Sequence, residues 1–298
     1  MKKRFLFALL FATRLTTLVA WLNRRKVTIL CYHSVTRQAE ARRDDSHKLH
    51  LHVDAFLSHL DYLHAHYQII SLAEFVRARR ENIALPFGTA ILTFDDGVRN
   101  FSTVVAPLLL ERGLSATSFI VTGDSFTQGD SDTTGNWHPE DDDNYLSWSE
   151  VRRLAKLGLE FGSHTSTHAA LPDIHPAEAR SELETSLNAL HTYLGDNSFP
   201  LSYPHGKTSE EISRLAQALG YSCAVTIALG QNDSESDLFA LRRVIIASDD
   251  DLPTFAARLS GLTSWYNQIA GLFNARAKDH SEPATICYDP IIAEESGK

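Results

Sequence analysis

The sequence predicts an α/β fold, a (β/α) barrel with about seven parallel strands, and two observations carry that expectation. Short apolar runs rich in β-branched residues alternate with segments of helical periodicity from Val27 to about residue 246, and such alternation implies a mainly parallel sheet. Seven strand candidates over that length favour closure into a barrel, an architecture whose chemistry sits at the carboxyl ends of the strands. No composition shift interrupts the rhythm, so one catalytic domain is expected over 27–275, after a distinct segment 1–26 and before a polar tail 276–298.

In order, the expected strands are 27–32, 89–94, 116–121, 159–162, 199–203, 222–227 and 241–246. Helical spacing joins Phe56, Leu60, Leu63 and Tyr67, then Val104, Val105, Leu108 and Leu109, then Val151, Leu154 and Ala155. It returns at Leu183, Leu187, Leu190 and Leu194, and at Ile212, Leu215 and Leu219. The one long break, 124–145, is rich in Asp, Ser, Thr and Gly and reads as a solvated loop. Its alternative role is a wall of the substrate groove, with Trp137 as a platform for stacking a sugar ring.

The amino-terminal segment differs from the rest. Phe5 to Leu22 is a mostly apolar run flanked by Lys2-Lys3-Arg4 and Arg24-Arg25-Lys26. Its length is at the lower limit for a membrane span, and Arg14 sits in its middle at a cost of a few kcal/mol. The preferred reading is an anchor or interfacial helix at the cytoplasmic face of a bacterial inner membrane. A cleavable export signal and a plain surface helix are the alternatives.

Composition narrows the function. The 298 residues carry 28 Lys+Arg and 37 Asp+Glu, a net charge of −9. Ten of those basic residues and only one acid fall in 1–43, so the remainder is strongly acidic. An acidic body excludes nucleic acid as the expected partner, because that binding rests on neutralising phosphates. The basic segment 1–26 points to a membrane surface instead. Three scattered cysteines, Cys31, Cys223 and Cys287, support neither a disulfide framework nor a cysteine zinc site. Any metal must be held by histidine and carboxylate.

Two motifs close strands. Thr93-Phe94-Asp95-Asp96-Gly97 ends the run Ala90-Ile91-Leu92, and His164-Thr165-Ser166-Thr167-His168 ends Leu159–Gly162. A His-x3-His spacing is near chance in a chain with 14 histidines, and other paired aspartates here read as solvated turns. Context separates Asp95-Asp96: two carboxylates directly after a buried strand repel unless a cation or hydrogen bonds compensate. Two imidazoles and one carboxylate form a catalytic metal set with positions open to water and substrate. The second carboxylate is then free to take a proton. His47, His50, His52, His59, His64 and His66 are dense but read as incidental to any metal.

Together these motifs resemble the NodB-homology polysaccharide deacetylases, carbohydrate esterase family four, over roughly residues 27–265. Leu146-Ser147-Trp148 and Ser202-Tyr203-Pro204-His205-Gly206 strengthen the likeness. The resemblance implies one divalent metal, often zinc, on Asp96, His164 and His168, with Asp95 as general base. It implies a distorted form of the barrel and hydrolysis of an N-acetyl group from an amino sugar; the expected activity is removal of an N-acetyl (or N-formyl) group from a bacterial glycan, or from a lipid-linked sugar given the basic, apolar segment 1–26. It also implies Tyr203 and Pro204 at the substrate and the backbone N–H of His205 as oxyanion donor.

Two departures stand out. Ser202 occupies the place where the family's third motif has an arginine, and no Leu-x-His motif follows residue 205 to supply a general acid. His33, in Leu30-Cys31-Tyr32-His33-Ser34, is the substitute acid expected, as in the similar exopolysaccharide poly-N-acetylglucosamine deacetylases. Arg242-Arg243 stands open between orienting Asp95 and decorating the surface. Hydrolysis of a non-sugar cyclic amide and an inactive glycan-binding role are the competing readings.

Overall fold

Ten strands and nine α-helices are arranged along the residues described by the computed structural model, which are 2–37, 49–123 and 145–263. The strands are β1 (Thr28–Tyr32), β2 (Ser34–Thr36), β3 (His50–His52), β4 (Gln68–Ile69), β5 (Thr89–Phe94), β6 (Thr117–Ile120), β7 (Glu160–Ser163), β8 (Leu201–Ser202), β9 (Ala224–Leu229) and β10 (Leu241–Ile245). Seven of them close a parallel barrel in the order β1-β10-β9-β8-β7-β6-β5, sealed by the β5–β1 pairing. These are the seven runs expected from the sequence. The two-residue β4 pairs with the amino end of β5, and β2 pairs with β3 in a separate small sheet.

Side-chain alternation sorts each strand between two apolar clusters. Leu30, Tyr32, Leu92 and Phe94 face outward into the larger cluster under the helices. Ile29, Ile91, Phe119, Val225 and Leu241 form the second cluster with Leu72, Phe75 and Val76 of a helix. Continuing the inward column two residues at a time reaches Cys31 on β1, Thr93 and Asp95 on and after β5, and Arg243 on β10. The barrel interior is therefore apolar at its amino end and polar at its carboxyl end.

The helices are α1 (Lys2–Ala12), α2 (Leu15–Leu22), α3 (Val53–His66), α4 (Leu72–Glu81), α5 (Ala106–Glu111), α6 (Trp148–Lys156), α7 (Pro176–Leu194), α8 (Glu210–Leu219) and α9 (Leu252–Leu259). Capping boxes start two of them: Ser71 with Glu74 at α4, and Ser147 with Glu150 at α6. The Leu146-Ser147-Trp148 motif thus serves structure. Ser147 caps α6, and Trp148 is buried and stacked on Tyr193 at 4.1 Å between ring centroids. The apolar run at the amino terminus is two helices instead of one, turned at Arg14 by a left-handed φ of 58°. Trp137 and the polar tail fall outside the described residues.

One of the dense histidines lies in the core. His59 is buried, its ring stacked on Phe255 at 3.8 Å, and burial pushes its pKa down from 6.5 to about 4. Between those pH values the unfolded chain takes up a proton that the folded chain refuses, so stability falls as pH drops through that window. The loss amounts to at most about 3 kcal/mol. Urea titrations from pH 7 to 4 are expected to show this decline, flattened in a His59→Phe variant.

Candidate active site

Asp95 follows the last residue of β5 and points into the barrel, where it is 3 % exposed. Arg243, with 0 % exposure, meets it from β10. Its Nη1 donates to Oδ1 at 2.7 Å and its Nη2 to Oδ2 at 2.6 Å, a bidentate fork. The guanidinium is held in turn, with Nε donating to Thr226 O at 2.8 Å, Nη1 to Thr93 Oγ1 at 3.3 Å and Nη2 to Ser202 Oγ at 3.1 Å. Burial alone would raise the Asp95 carboxyl, but the charge and hydrogen bonds of Arg243 outweigh it and hold the pKa well below the usual carboxylate range.

This pair resolves the question left at Arg242-Arg243. Arg242 is exposed and Arg243 is the buried partner of Asp95. Ser202 takes part as well, donating from Oγ to Asp95 Oδ2 at 3.2 Å. A small residue on β8 leaves room for the guanidinium arriving from β10. The arginine missing from the third motif is thereby supplied from another strand. The signal in the sequence was parity: Leu241 faces the barrel interior, so Arg243 two residues on must face it too.

Asp96, His164 and His168 bring one ligand atom each within 4.8 Å of one another. Nε2 of His164 lies 3.4 Å and Nε2 of His168 lies 3.6 Å from Asp96 Oδ1. These separations are long for hydrogen bonds. They match the spacing of roughly 3.3–3.6 Å between atoms seated 2.0–2.2 Å from a tetrahedral ion. His164 Nδ1 lies 2.8 Å from Ser202 O, which fixes the tautomer that turns the Nε2 lone pair toward Asp96. Burial pushes His168 down to about 4, so its lone pair is available at neutral pH. The donor set fits a divalent cation.

The chain bends sharply around this cluster. Of the six non-glycine residues with positive φ among the described residues, four are Asp96 (70°), Thr165 (65°), His168 (64°) and His205 (55°). Such strain gathers where surrounding structure fixes functional groups. Gly97 (φ 68°) permits the turn after Asp96, since a Cβ there would meet Ile120 Cγ2 at 2.9 Å. Glu182 on α7 braces the second motif by accepting from the Ser166 and Thr167 N–H groups at 2.9 and 2.8 Å. Glu182 was invisible as a contributor in the sequence.

The remaining expected residues divide. A ring nitrogen of His33 lies within 4.8 Å of Cys31 Sγ and an Asp95 oxygen, and its buried Nδ1 has no hydrogen-bond partner. Ser34, next to it, is tied to Asn100 and to His50 on β3, so the small sheet positions the turn that carries His33. His205 reaches the rim, its ring edge-on to His168 at 4.7 Å. Tyr203 is fully buried, and its hydroxyl donates to Phe239 O at 3.1 Å. The buried Pro204 follows it and leads into the His205 turn. A groove of about 500 Å³ bounded by Gly206, Lys207, Thr226 and Arg242 adjoins that turn. A cavity of about 730 Å³ lies at the opposite, amino end of the barrel, away from these groups.

Comparison with known proteins agrees with this geometry. The sequence profile of the polysaccharide deacetylase family matches residues 83–224. YxkH of Bacillus subtilis (strain 168), named for its likeness to polysaccharide deacetylases, is 25 % identical over 247 residues, which are 82 % of this chain and 80 % of that protein. The poly-β-1,6-N-acetyl-D-glucosamine N-deacetylase of Escherichia coli (strain K12) is 26 % identical over 221 residues, 65 % of this chain but only 33 % of that longer protein. Among solved structures, the Streptococcus pyogenes deacetylase PplD in complex with acetate superposes with a TM-score of 0.67 at 23 % identity, covering 78 % of this chain and 98 % of that one. IcaB from Ammonifex degensii gives 0.64 at 19 % identity, covering 79 % and 97 %. These two share the fold. Residues 83–224 thus match a polysaccharide deacetylase domain of the NodB-homology type.

Proposed function

We propose that the protein removes N-acetyl groups from an amino-sugar glycan, giving a free amine and acetate, with a divalent ion held by Asp96, His164 and His168. The observation that carries this reading is the Arg243-clamped Asp95 beside that donor set. A zinc ion bound there would polarise the amide carbonyl and acidify a water molecule.

Asp95 takes the proton of the attacking water as its oxygen bonds to the carbonyl carbon. Among the described residues, Oδ2 already accepts from Arg243, Ser202 and Cys31, whereas Oδ1 accepts from Arg243 Nη1 alone. Oδ1 therefore has the lone pair that receives the proton. A neutral Asp95 would leave the Arg243 cation unpaired in the barrel, which favours passing the proton on. The His205 N–H, set by its left-handed turn, supports the negative oxygen of the tetrahedral intermediate. His33 protonates the nitrogen as the C–N bond breaks. With Arg243 in the place of the missing motif arginine, Ser202 is no argument for an inactive, binding-only protein.

The test is acetate release, matched by free amine, from β-1,6- and β-1,4-linked N-acetylglucosamine oligomers. Equimolar acetate and amine from either supports the reading, and none from any N-acetylated glycan contradicts it. His33→Ala is expected to slow amide cleavage by about 10²-fold or more. Hydrolysis of 4-nitrophenyl acetate, whose leaving group needs no proton, should change far less. Equal losses on both substrates would remove His33 from the acid role.

A further inference from the structure

The outward side of the amino-terminal helices is apolar where a surface helix is ordinarily polar. α1 lays Phe7 against Ala257 and Leu262, with Leu10 and Val19 packed beside them, so the helices are docked on the barrel at α9. Asn23 donates to Ser260 O at 2.9 Å, and Arg4 pairs with Asp249. The opposite side presents Phe5 (75 % exposed), Leu9, Leu15, Leu18, Trp21 (55 %) and Leu22 (65 %) to the outside. A second element joins this face. Phe87, 58 % exposed, and Ile83 lie in the loop before β5. The Arg24 guanidinium stands 4.4 Å from the Trp21 ring and 4.9 Å from the Phe87 ring, and Gly88 N–H donates to Arg24 O at 2.7 Å.

Charge says what covers this face. Arg24, Arg25 and Lys26 border it, while the rest of the protein beyond residue 43 is strongly acidic. An exposed indole beside a basic collar is the composition of a face seated at the headgroup level of an anionic bilayer.

We propose that the outer side of α1 and α2, together with the 83–87 loop, docks the protein in the plane of a membrane surface bearing anionic headgroups. It lies on that surface and does not cross it. No single helix among the described residues is long and apolar enough to span, and the two helices meet at 81°. Straightening them into one span would pull Phe7 from beneath α9 and break the Asn23 contact. The loop before β5, far along the chain from the amino terminus, has no part in a spanning segment but contributes to an interfacial face.

The experiment is flotation of the full chain with vesicles of phosphatidylglycerol and phosphatidylcholine in equal parts, and with phosphatidylcholine alone. Binding to the anionic vesicles is expected to be at least tenfold tighter. A Trp21→Ser/Phe87→Ser variant should lose at least tenfold in binding, and Arg25→Glu/Lys26→Glu should abolish the preference for anionic lipid. Thermal melts and acetate release from a soluble oligomer should be unchanged in both, since these side chains are exposed and remote from Asp95. Failure of the full chain to float with either vesicle overturns the proposal. So does a dimer in size-exclusion chromatography that the Trp21→Ser/Phe87→Ser variant dissolves without any vesicle binding by the parent. Flotation that survives that variant unchanged also overturns it.

Discussion

An Arg243→Met chain is expected to lose about 3–5 kcal/mol of folding stability and about 10³-fold in acetate release. The stability loss follows from burial. Asp95 is buried, and removing one partner of a buried pair leaves the other charge uncompensated. The activity loss follows from the same event. Burial pushes the Asp95 carboxyl up and the guanidinium brings it down, so without Arg243 the base loses its main counter-charge and the fork that aims it. The double variant Asp95→Asn/Arg243→Met separates the two effects. It should recover most of the stability, because neither charge remains, and none of the activity. Urea titrations of the four chains measure the coupling. A coupling near zero would mean that the fork contributes nothing to folding.

Asp95→Asn alone is expected to lower acetate release by about 10³-fold or more while leaving metal binding intact. The Asn amide is too weak a base to take a proton at neutral pH, and its amide nitrogen faces the donors of Arg243. The chain should accordingly be less stable, and the assay belongs well below its melting temperature. Asp96, His164 and His168 are untouched, so one ion per chain should remain. Replacement of Asp96 by Asn should instead lose both the ion and the activity. That contrast assigns the two neighbouring aspartates to different tasks: after a strand end, consecutive side chains diverge, and Asp95 continues the inward column while Asp96 turns out at φ 70° to meet the histidines.

Much of this was legible before any coordinates. The seven barrel strands fall on apolar, β-rich runs set apart by helical periodicity, although β8 forms over only Leu201–Ser202 of its run, and the two motifs at strand ends carry Asp95, Asp96, His164 and His168. What was missed has physical reasons. β2, β3 and β4 span three residues or fewer, too short for a periodic signal. α4 is rich in Arg and Glu, and only its Ser71–Glu74 capping box announces it. The amino-terminal run looks continuous because hydropathy does not register the left-handed turn at Arg14. Arg243 was the costliest ambiguity: two adjacent arginines suggest a surface, and only strand parity with Leu241 shows that one of them points inward.

The central claim is that a divalent ion on Asp96, His164 and His168 works with Asp95 to cleave an N-acetyl group. The most direct measurement is acetate release from an N-acetylglucosamine oligomer before chelation, after it, and after return of one equivalent of zinc, with bound metal counted at each stage. The account predicts one ion per chain, activity lost with the ion and restored by a single equivalent. An unchanged rate in chain shown to be free of metal would contradict it.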